Sequence, residues 1–222
     1  MRLWVKICGA TSLDDARLAV EAGADAVGFV FAASPRRVTV EQVAALVPHL
    51  PAELEKMGVF VHAGVEEIHA TVQACGLTGV QLHNRYRPGV AMRLRDRLGQ
   101  DLRIVQVIHF SAEACLAAQA AAADAAVSAV LIDSRAAGAE GGTGLPFDWQ
   151  VARSSILSRI GALKPVVVAG GLHPANVAEA IRVLMPWGVD VVTGVEAAPG
   201  KKDRLKVMEF VERARKAHAN RA

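Results

Sequence analysis

About eight short apolar runs alternate with amphipathic segments along this chain, and the alternation predicts an α/β protein closed into a single (βα)8 barrel. Two further observations support that class. The runs are nearly continuous and rich in Val and Ile, as in parallel strands buried on both faces. The chain has 222 residues, near the lower length limit for eight βα units, so it is read as one domain, 1–222, of the TIM-barrel type. The competing architecture is an open doubly wound sheet. It fits less well, because Cys8-Gly9-Ala10-Thr11 after the first run has one glycine where a dinucleotide loop needs several.

Taken in order, the strand candidates are 3–7, 26–31, 58–61, 79–82, 104–108, 129–132, 166–169 and 189–192. The first helical segment, 13–22, carries Leu13, Ala16, Leu18, Ala19 and Val20 on one side and Asp14, Asp15 and Glu21 elsewhere. Thr11-Ser12 precede it as N-cap candidates, and Gly23 follows as a C′ glycine. Segments 65–75, 88–98, 112–122 and 176–184 repeat the pattern. The Ala-rich stretch 112–130 is interrupted by Gln119, Asp124 and Ser128, so it reads as helix then strand, not as a membrane span. No Pro/Gly/Ser-rich linker and no internal repeat divides the chain, and no fused domain is expected.

Composition narrows the function classes. Hydrophobic residues make up 52% and charged residues 21%, which excludes a disordered chain. Cys8, Cys75 and Cys115 are too few for a disulfide scaffold and lie at no metal-site spacing, which points to a reducing, cytoplasmic setting. The first residues hold no apolar segment of the signal-peptide kind. Net charge is +3 and only 5% of residues are aromatic, so nucleic-acid binding is not expected. The cations Lys206, Arg213, Arg215 and Lys216 read as a solvated helix face. No heptad seam is visible. A monomer is the preferred state, with a dimer left open.

In a βα barrel the chemistry sits where the strands end. Strand 1 ends in Lys6-Ile7-Cys8-Gly9, strand 4 in Gln81-Leu82-His83, strand 5 near His109 and strand 6 in Asp133. Glycines follow strand 6 (Gly138, Gly141, Gly142, Gly144), strand 7 (Gly170, Gly171) and strand 8 (Thr193-Gly194). Loops after strands 7 and 8 commonly hold phosphate in such barrels, so Gly170, Gly171, Thr193 and Gly194 are read as a phosphate cradle rather than mere tight turns. Cys8 admits three readings: nucleophile, base or small buried hydrophobe. Either active role needs a thiolate, hence a lowered pKa. Asp133 at an apolar strand end is suited to donate a proton, ahead of a structural cap. Arg36 or Arg37 offers a guanidinium for a bidentate carboxylate contact. Gln81 and His83 point the same way on strand 4. His83 with His109 suggests a metal, but no carboxylate is placed to join them, so a polar contact is expected and a metal is not. Asp25 and Asp190 are expected before strands, at the barrel bottom, in structural roles. Cys75 and Cys115 read as core cysteines, and Asp148 as a helix N-cap.

Taken together, Lys6-Ile7-Cys8-Gly9, Gly28-Phe29-Val30-Phe31 with Ser34-Pro35-Arg36, Gly58-Val59-Phe60 and Gln81-Leu82-His83 resemble the phosphoribosylanthranilate isomerase family. So do Asp133 with Gly141-Gly142-Thr143-Gly144, Phe147-Asp148-Trp149, Ala169-Gly170-Gly171-Leu172 with Asn176-Val177, and Gly194-Val195-Glu196 with 199–203. The ordered set runs the length of the chain. The resemblance implies an Amadori rearrangement of N-(5-phosphoribosyl)anthranilate in tryptophan biosynthesis, with Asp133 as general acid and Cys8 as base. Arg36 would hold the anthranilate carboxylate, while Gln81, His83 and Gly142 line the substrate and Gly170, Gly171, Thr193 and Gly194 hold its phosphate. The substrate is a small phosphosugar, and no cofactor, membrane or nucleic acid is implied. Three positions depart from the usual pattern: Asn84 replaces glycine, Thr193 replaces serine, and the loop from Phe31 to Ser34 is one residue short. The alternatives are another phosphosugar isomerase or epimerase, or a non-catalytic barrel that only binds a phosphorylated metabolite.

Overall fold

A computed structural model describes residues 2–111, 114–133 and 149–220. Eight parallel strands close into a barrel in chain order: β1 (Trp4–Cys8), β2 (Ala26–Val30), β3 (Glu55–Phe60), β4 (Gly79–Leu82), β5 (Arg103–His109), β6 (Ala129–Asp133), β7 (Val166–Ala169) and β8 (Gly188–Val191). β8 pairs back onto β1, with Lys6 opposite Asp190. The helices between strands are α1 (Leu13–Glu21), α2 (Val40–Leu46), α3 (Val65–Cys75), α4 (Val90–Leu98), α5 (Ala114–Ala123), α6 (Trp149–Ala152), α7 (Ser158–Ile160) and α8 (Val177–Leu184). A small ribbon of β9 (Glu196–Ala198) and β10 (Lys201–Lys202) precedes α9 (Arg204–Ala219). No helix among the described residues is long and apolar enough to cross a membrane.

Most of the expected strands shift by one residue or less, but β3 begins three residues before its apolar run. Glu55 and Lys56 hide that start from a hydrophobicity reading. The Lys56 ammonium is carried by the carbonyls of Pro51 and Ala52, which lets a lysine sit buried in a strand. α2 was not singled out by periodicity, yet its start is well marked. Thr39 accepts from the Gln42 N–H and Gln42 accepts from the Thr39 N–H, a reciprocal capping box. Ser12 caps α1 and Asp203 caps α9 in the same way, each accepting from the N–H three residues on.

Side chains alternate across the wall, so two cores form. One fills the shell between strands and helices; the other, with Trp4, Ala26, Met57, Val105, Val107, Ala129, Leu131, Val167 and Ala169, fills the barrel itself. Trp4 stacks on Trp187 at 5.4 Å and closes the bottom. Two residues above Trp4 on the inward face of β1 comes Lys6, and two above that Cys8. The cations of α9 do more than face solvent. Arg215 bonds Asp25 and the Leu3 carbonyl, and Lys206 donates to the Glu196 carbonyl at 2.8 Å, fastening the last helix to the barrel wall.

Candidate active site

The middle layer of the barrel is charged. Lys6 is fully buried, and its ammonium donates to Asp190 Oδ1 at 2.9 Å and to Gln81 Oε1 at 3.0 Å. Asp190 is therefore not a barrel-bottom residue preceding its strand. It lies within β8, and the register with β1 sets its carboxylate beside the only kind of partner that makes its burial tolerable. Burial pulls the Lys6 pKa down, but Asp190 and Cys8 together outweigh it and hold it above the ordinary lysine value.

Cys8 ends β1 with 3% of its surface exposed. Its register partner on β2 is Gly28, and a Cβ there would fall 2.6 Å from the sulfur. Glycine thus makes room for the thiol. Burial pushes the Cys8 pKa up; the Lys6 cation pulls it down, Asp190 raises it, and Lys202 pulls it down further. The net direction is upward, away from the lowered value that either active role needs in the resting thiol. The desolvation of a group this deep outweighs two neighbouring ammonium charges.

Arg36 reaches the mouth over Gly9, whose φ of +76° and absent Cβ leave the passage clear; a Cβ would lie 2.9 Å from Arg36 Cδ. Its fork already grips a carboxylate. Nε donates to Glu196 Oε1 at 2.7 Å and Nη2 to Glu196 Oε2 at 2.6 Å. Nη2 also stands 3.4 Å from Thr193 Oγ1. The bidentate contact expected for a substrate is thus made inside the chain, and among the described residues Nη1 makes no such bond. Glu196 also accepts from Lys202 Nζ at 3.2 Å. Burial raises the Glu196 pKa, yet Arg36 and Lys202 outweigh this and set it below the ordinary carboxylate value.

The two glycine loops meet. Gly170 and Gly171 have φ of +85° and +64°, values that only glycine adopts readily. Asn176 fastens that loop by donating to the Gly171 carbonyl at 2.9 Å and accepting from the His173 N–H at 2.8 Å. Gly194, in the turn Thr193–Val195, lies so close that a Cβ would come 1.9 Å from the Leu172 carbonyl oxygen. The β8 turn that holds Thr193 and Gly194 therefore lies against the β7 loop that holds Gly170 and Gly171. Gly142 and the glycines near it lie outside the described residues, as does Asp148.

Beside the β7 loop Asp133 ends β6, 2% exposed, with Ala169 of β7 and His109 of β5 as its register partners. His83 Nε2 is 4.0 Å from Asp133 Oδ2. One ligand atom from each of His83, His109 and Asp133 lies within 4.8 Å of the others. A carboxylate therefore does join the two histidines, contrary to the sequence reading. The strand register creates this proximity, and it is invisible along the chain. Asn84 stands where the related pattern has glycine, but its φ is not positive, and its carbonyl accepts from Gln106 Nε2 at 2.9 Å, so a side chain is accommodated without strain. A separate cleft of about 630 Å³ at the far end of the barrel, lined in part by Leu157, Pro186 and Trp187, contains none of these residues.

Sequence reasoning missed Lys6, Asp190, Glu196, Lys202 and Gln106. The signal available for Lys6 was its position, a lysine two residues before Cys8 on a buried face.

The fold and the mouth define a (βα)8-barrel enzyme with a thiol at the end of β1 and a carboxyl at the end of β6. Residues 5–213 match the family model described as N-(5'phosphoribosyl)anthranilate (PRA) isomerase. A relative from Pelobacter propionicus named N-(5'-phosphoribosyl)anthranilate isomerase is 43% identical over 216 residues, covering 97% of each chain. One of the same name from Geobacter sulfurreducens is 41% identical over 218 residues, covering 95% of this chain and 98% of its own. The crystal structure of phosphoribosyl anthranilate isomerase from Thermotoga maritima superposes with a TM-score of 0.81 at 34% identity, covering 96% of this chain and 98% of that one. Another, in complex with reduced 1-(o-carboxyphenylamino)-1-deoxyribulose 5-phosphate, gives 0.79 at 33% identity with the same coverage. The chain belongs to the N-(5'-phosphoribosyl)anthranilate isomerase family. It is an isomerase of tryptophan biosynthesis, and its reaction is the Amadori rearrangement of that family.

Proposed function

We propose that Asp133 is the general acid and Cys8 the base of this rearrangement. The observation that carries the assignment is their placement: both face into the barrel at strand ends, on β6 and β1, above the same charged layer. Asp133 protonates the furanose ring oxygen, breaking the C1–O bond and leaving an iminium at C1. The Cys8 thiolate removes the proton from C2, and the electron pair moves to neutralise the iminium nitrogen. The enolamine then gains a proton at C1 and loses the one on the C2 hydroxyl, giving the ketone. C2 is oxidised and C1 reduced within one molecule, so no external electron acceptor is needed.

The remaining contacts follow from chemistry at the mouth. Arg36, oriented by Glu196, turns its Nη1 edge to the anthranilate carboxylate. The pair of loops holding Gly170, Gly171, Thr193 and Gly194 takes the phosphate on backbone N–H groups. Gln81, His83 and Gly142 complete the contact with the sugar. The raised Cys8 pKa sets a requirement on the order of events. The iminium cation formed by ring opening stabilises a nearby thiolate, so the ionised form of the base is most populated when its task arises.

The unbroken barrel from β1 to β8 supports reading the chain as one domain. We further propose that it acts in the cytoplasm as a monomer, and sedimentation giving a mass near 23.4 kDa tests the last point. For the chemistry, the test is loss of substrate fluorescence on freshly prepared phosphoribosylanthranilate. Wild type turns over, whereas Cys8→Ala and Asp133→Asn lose at least ~10²-fold. Activity retained in either variant removes that residue from its role.

A further inference from the structure

We propose that His83, His109 and Asp133 form a site for a divalent first-row transition ion, and that such an ion bound there switches the isomerase off. The ligand atoms come from the ends of three consecutive strands, β4, β5 and β6, which is rigid support for a metal site. His109 and Asp133 are cross-strand partners, so their side chains leave the wall side by side. The imidazole centroids of His83 and His109 are 5.0 Å apart, with the planes tilted by 57°. His83 Nε2 already stands 4.0 Å from the carboxylate. Ligand atoms around a tetrahedral ion with bonds of about 2.0–2.1 Å sit roughly 3.4 Å apart. Adjustments on the order of an ångström at the ring torsions close the set.

The donor chemistry selects the ion. Two imidazole nitrogens and one carboxylate suit Zn²⁺, Co²⁺ or Fe²⁺, and leave one or more coordination positions open to the barrel mouth. Mg²⁺ and Ca²⁺ prefer oxygen throughout and gain little here. His109 completes the set and has no role in the rearrangement as proposed above. His83 and Asp133 alone would be a pair; with His109 they are three.

Inhibition follows from what Asp133 must do. A carboxylate bound to a cation stays deprotonated and cannot hand a proton to the ring oxygen. This consequence rests on Asp133 being the acid, whereas the binding itself does not.

Chelator-treated protein is titrated with Co²⁺, read by its visible absorption, and assayed with and without Zn²⁺. Wild type is compared with His109→Ala and the conservative His109→Gln, with circular dichroism checking their fold. Wild type should bind about one Co²⁺ per chain. Loss of an outer-shell partner typically weakens metal affinity 10–100-fold, so removal of His109 should weaken it at least tenfold. Without metal, both variants should turn over within about twofold of wild type. Zn²⁺ should inhibit wild type at concentrations at least tenfold below those needed for the variants, and excess chelator should restore the rate. A wild type that gives no visible absorption with millimolar Co²⁺, variants that bind Co²⁺ equally well, or undiminished turnover of the Co²⁺-loaded wild type would each overturn the proposal. A wild type with no isomerase activity would count against the catalytic assignment alone, and the Co²⁺ spectrum would still decide the site.

Discussion

Gly28 faces Cys8 across the β1–β2 register so closely that a methyl group on it would lie 2.6 Å from the sulfur and 2.9 Å from Lys6 Cε. Neither neighbour has an easy escape. The Lys6 ammonium is held by Asp190 and Gln81, and Cys8 sits on a strand hydrogen-bonded on both sides. Gly28→Ala should therefore move the thiol. We expect a stability loss of about 1–3 kcal/mol from overpacking and a fall in kcat approaching ~10²-fold from misplacement of the base. Urea unfolding and the fluorescence assay measure the two separately. A folded variant with wild-type kcat would show that the position of Cys8 does not govern the rate.

Glu196 carries a pH signature. Its carboxylate lies between Arg36 and Lys202, which hold its folded pKa below the ordinary value. A depressed folded pKa contributes stability that is complete above the unfolded value, about 4.3, and is lost as pH falls through the folded value. Wild type should therefore lose urea resistance progressively below about pH 4.3. Glu196→Gln should begin less stable at neutral pH, by up to the ~3–5 kcal/mol seen when one partner of a buried pair is removed. Its profile across the acid window should be flatter. The same variant frees the Arg36 fork and should raise KM more than it lowers kcat. Identical acid profiles for the two proteins would mean that the buried carboxylate adds nothing to stability in this window.

The strand ends were legible because each is an apolar run stopped by a polar residue or a glycine: Cys8-Gly9, Asp133, Ala169-Gly170-Gly171. The charged layer was not. In Leu3-Trp4-Val5-Lys6-Ile7-Cys8 a lysine reads as an interruption, and its partner Asp190 is 184 residues away, brought alongside only when β8 closes on β1. Glu196 likewise reads as a loop charge until the chain after β8 folds back over Arg36, 160 residues earlier. The pairing of His109 with Asp133 depends on register, which two strands 20 or more residues apart do not display in their sequences. The depth at which Cys8 is buried, which sets the direction of its pKa, is likewise a property of the closed barrel and not of the local sequence.

That direction is measurable. The thiolate absorbs near 240 nm, so the difference between wild type and Cys8→Ala isolates one cysteine from the other two. Burial should place its titration above the ordinary cysteine range. Asp190→Asn removes an anion that raises the pKa, and should bring the midpoint down provided Lys6 stays charged. Lys6→Met removes the strongest lowering influence and should drive it up, with a stability loss from the Asp190 carboxylate left buried without its cation. A midpoint near or below that of a free thiol in the unliganded protein would refute the burial argument. It would make Cys8 a pre-ionised thiolate.

Gly194 tests the proposed phosphate cradle without touching the proposed acid or base. A Cβ there would come 1.9 Å from the Leu172 carbonyl oxygen and 2.8 Å from His173 Cβ, so Gly194→Ala must push the β7 and β8 loops apart. The obstacle is backbone, fixed in turn by the Asn176 bonds to Gly171 and His173, and cannot swing aside as a flexible side chain would. The N–H groups that converge on one anion should then diverge. Inorganic phosphate, as a competitive inhibitor, should lose at least ~10-fold in affinity, or about 1.4 kcal/mol, and KM should rise by a similar factor. Unchanged phosphate inhibition in a folded Gly194→Ala protein would show that the anion binds elsewhere on the barrel rim.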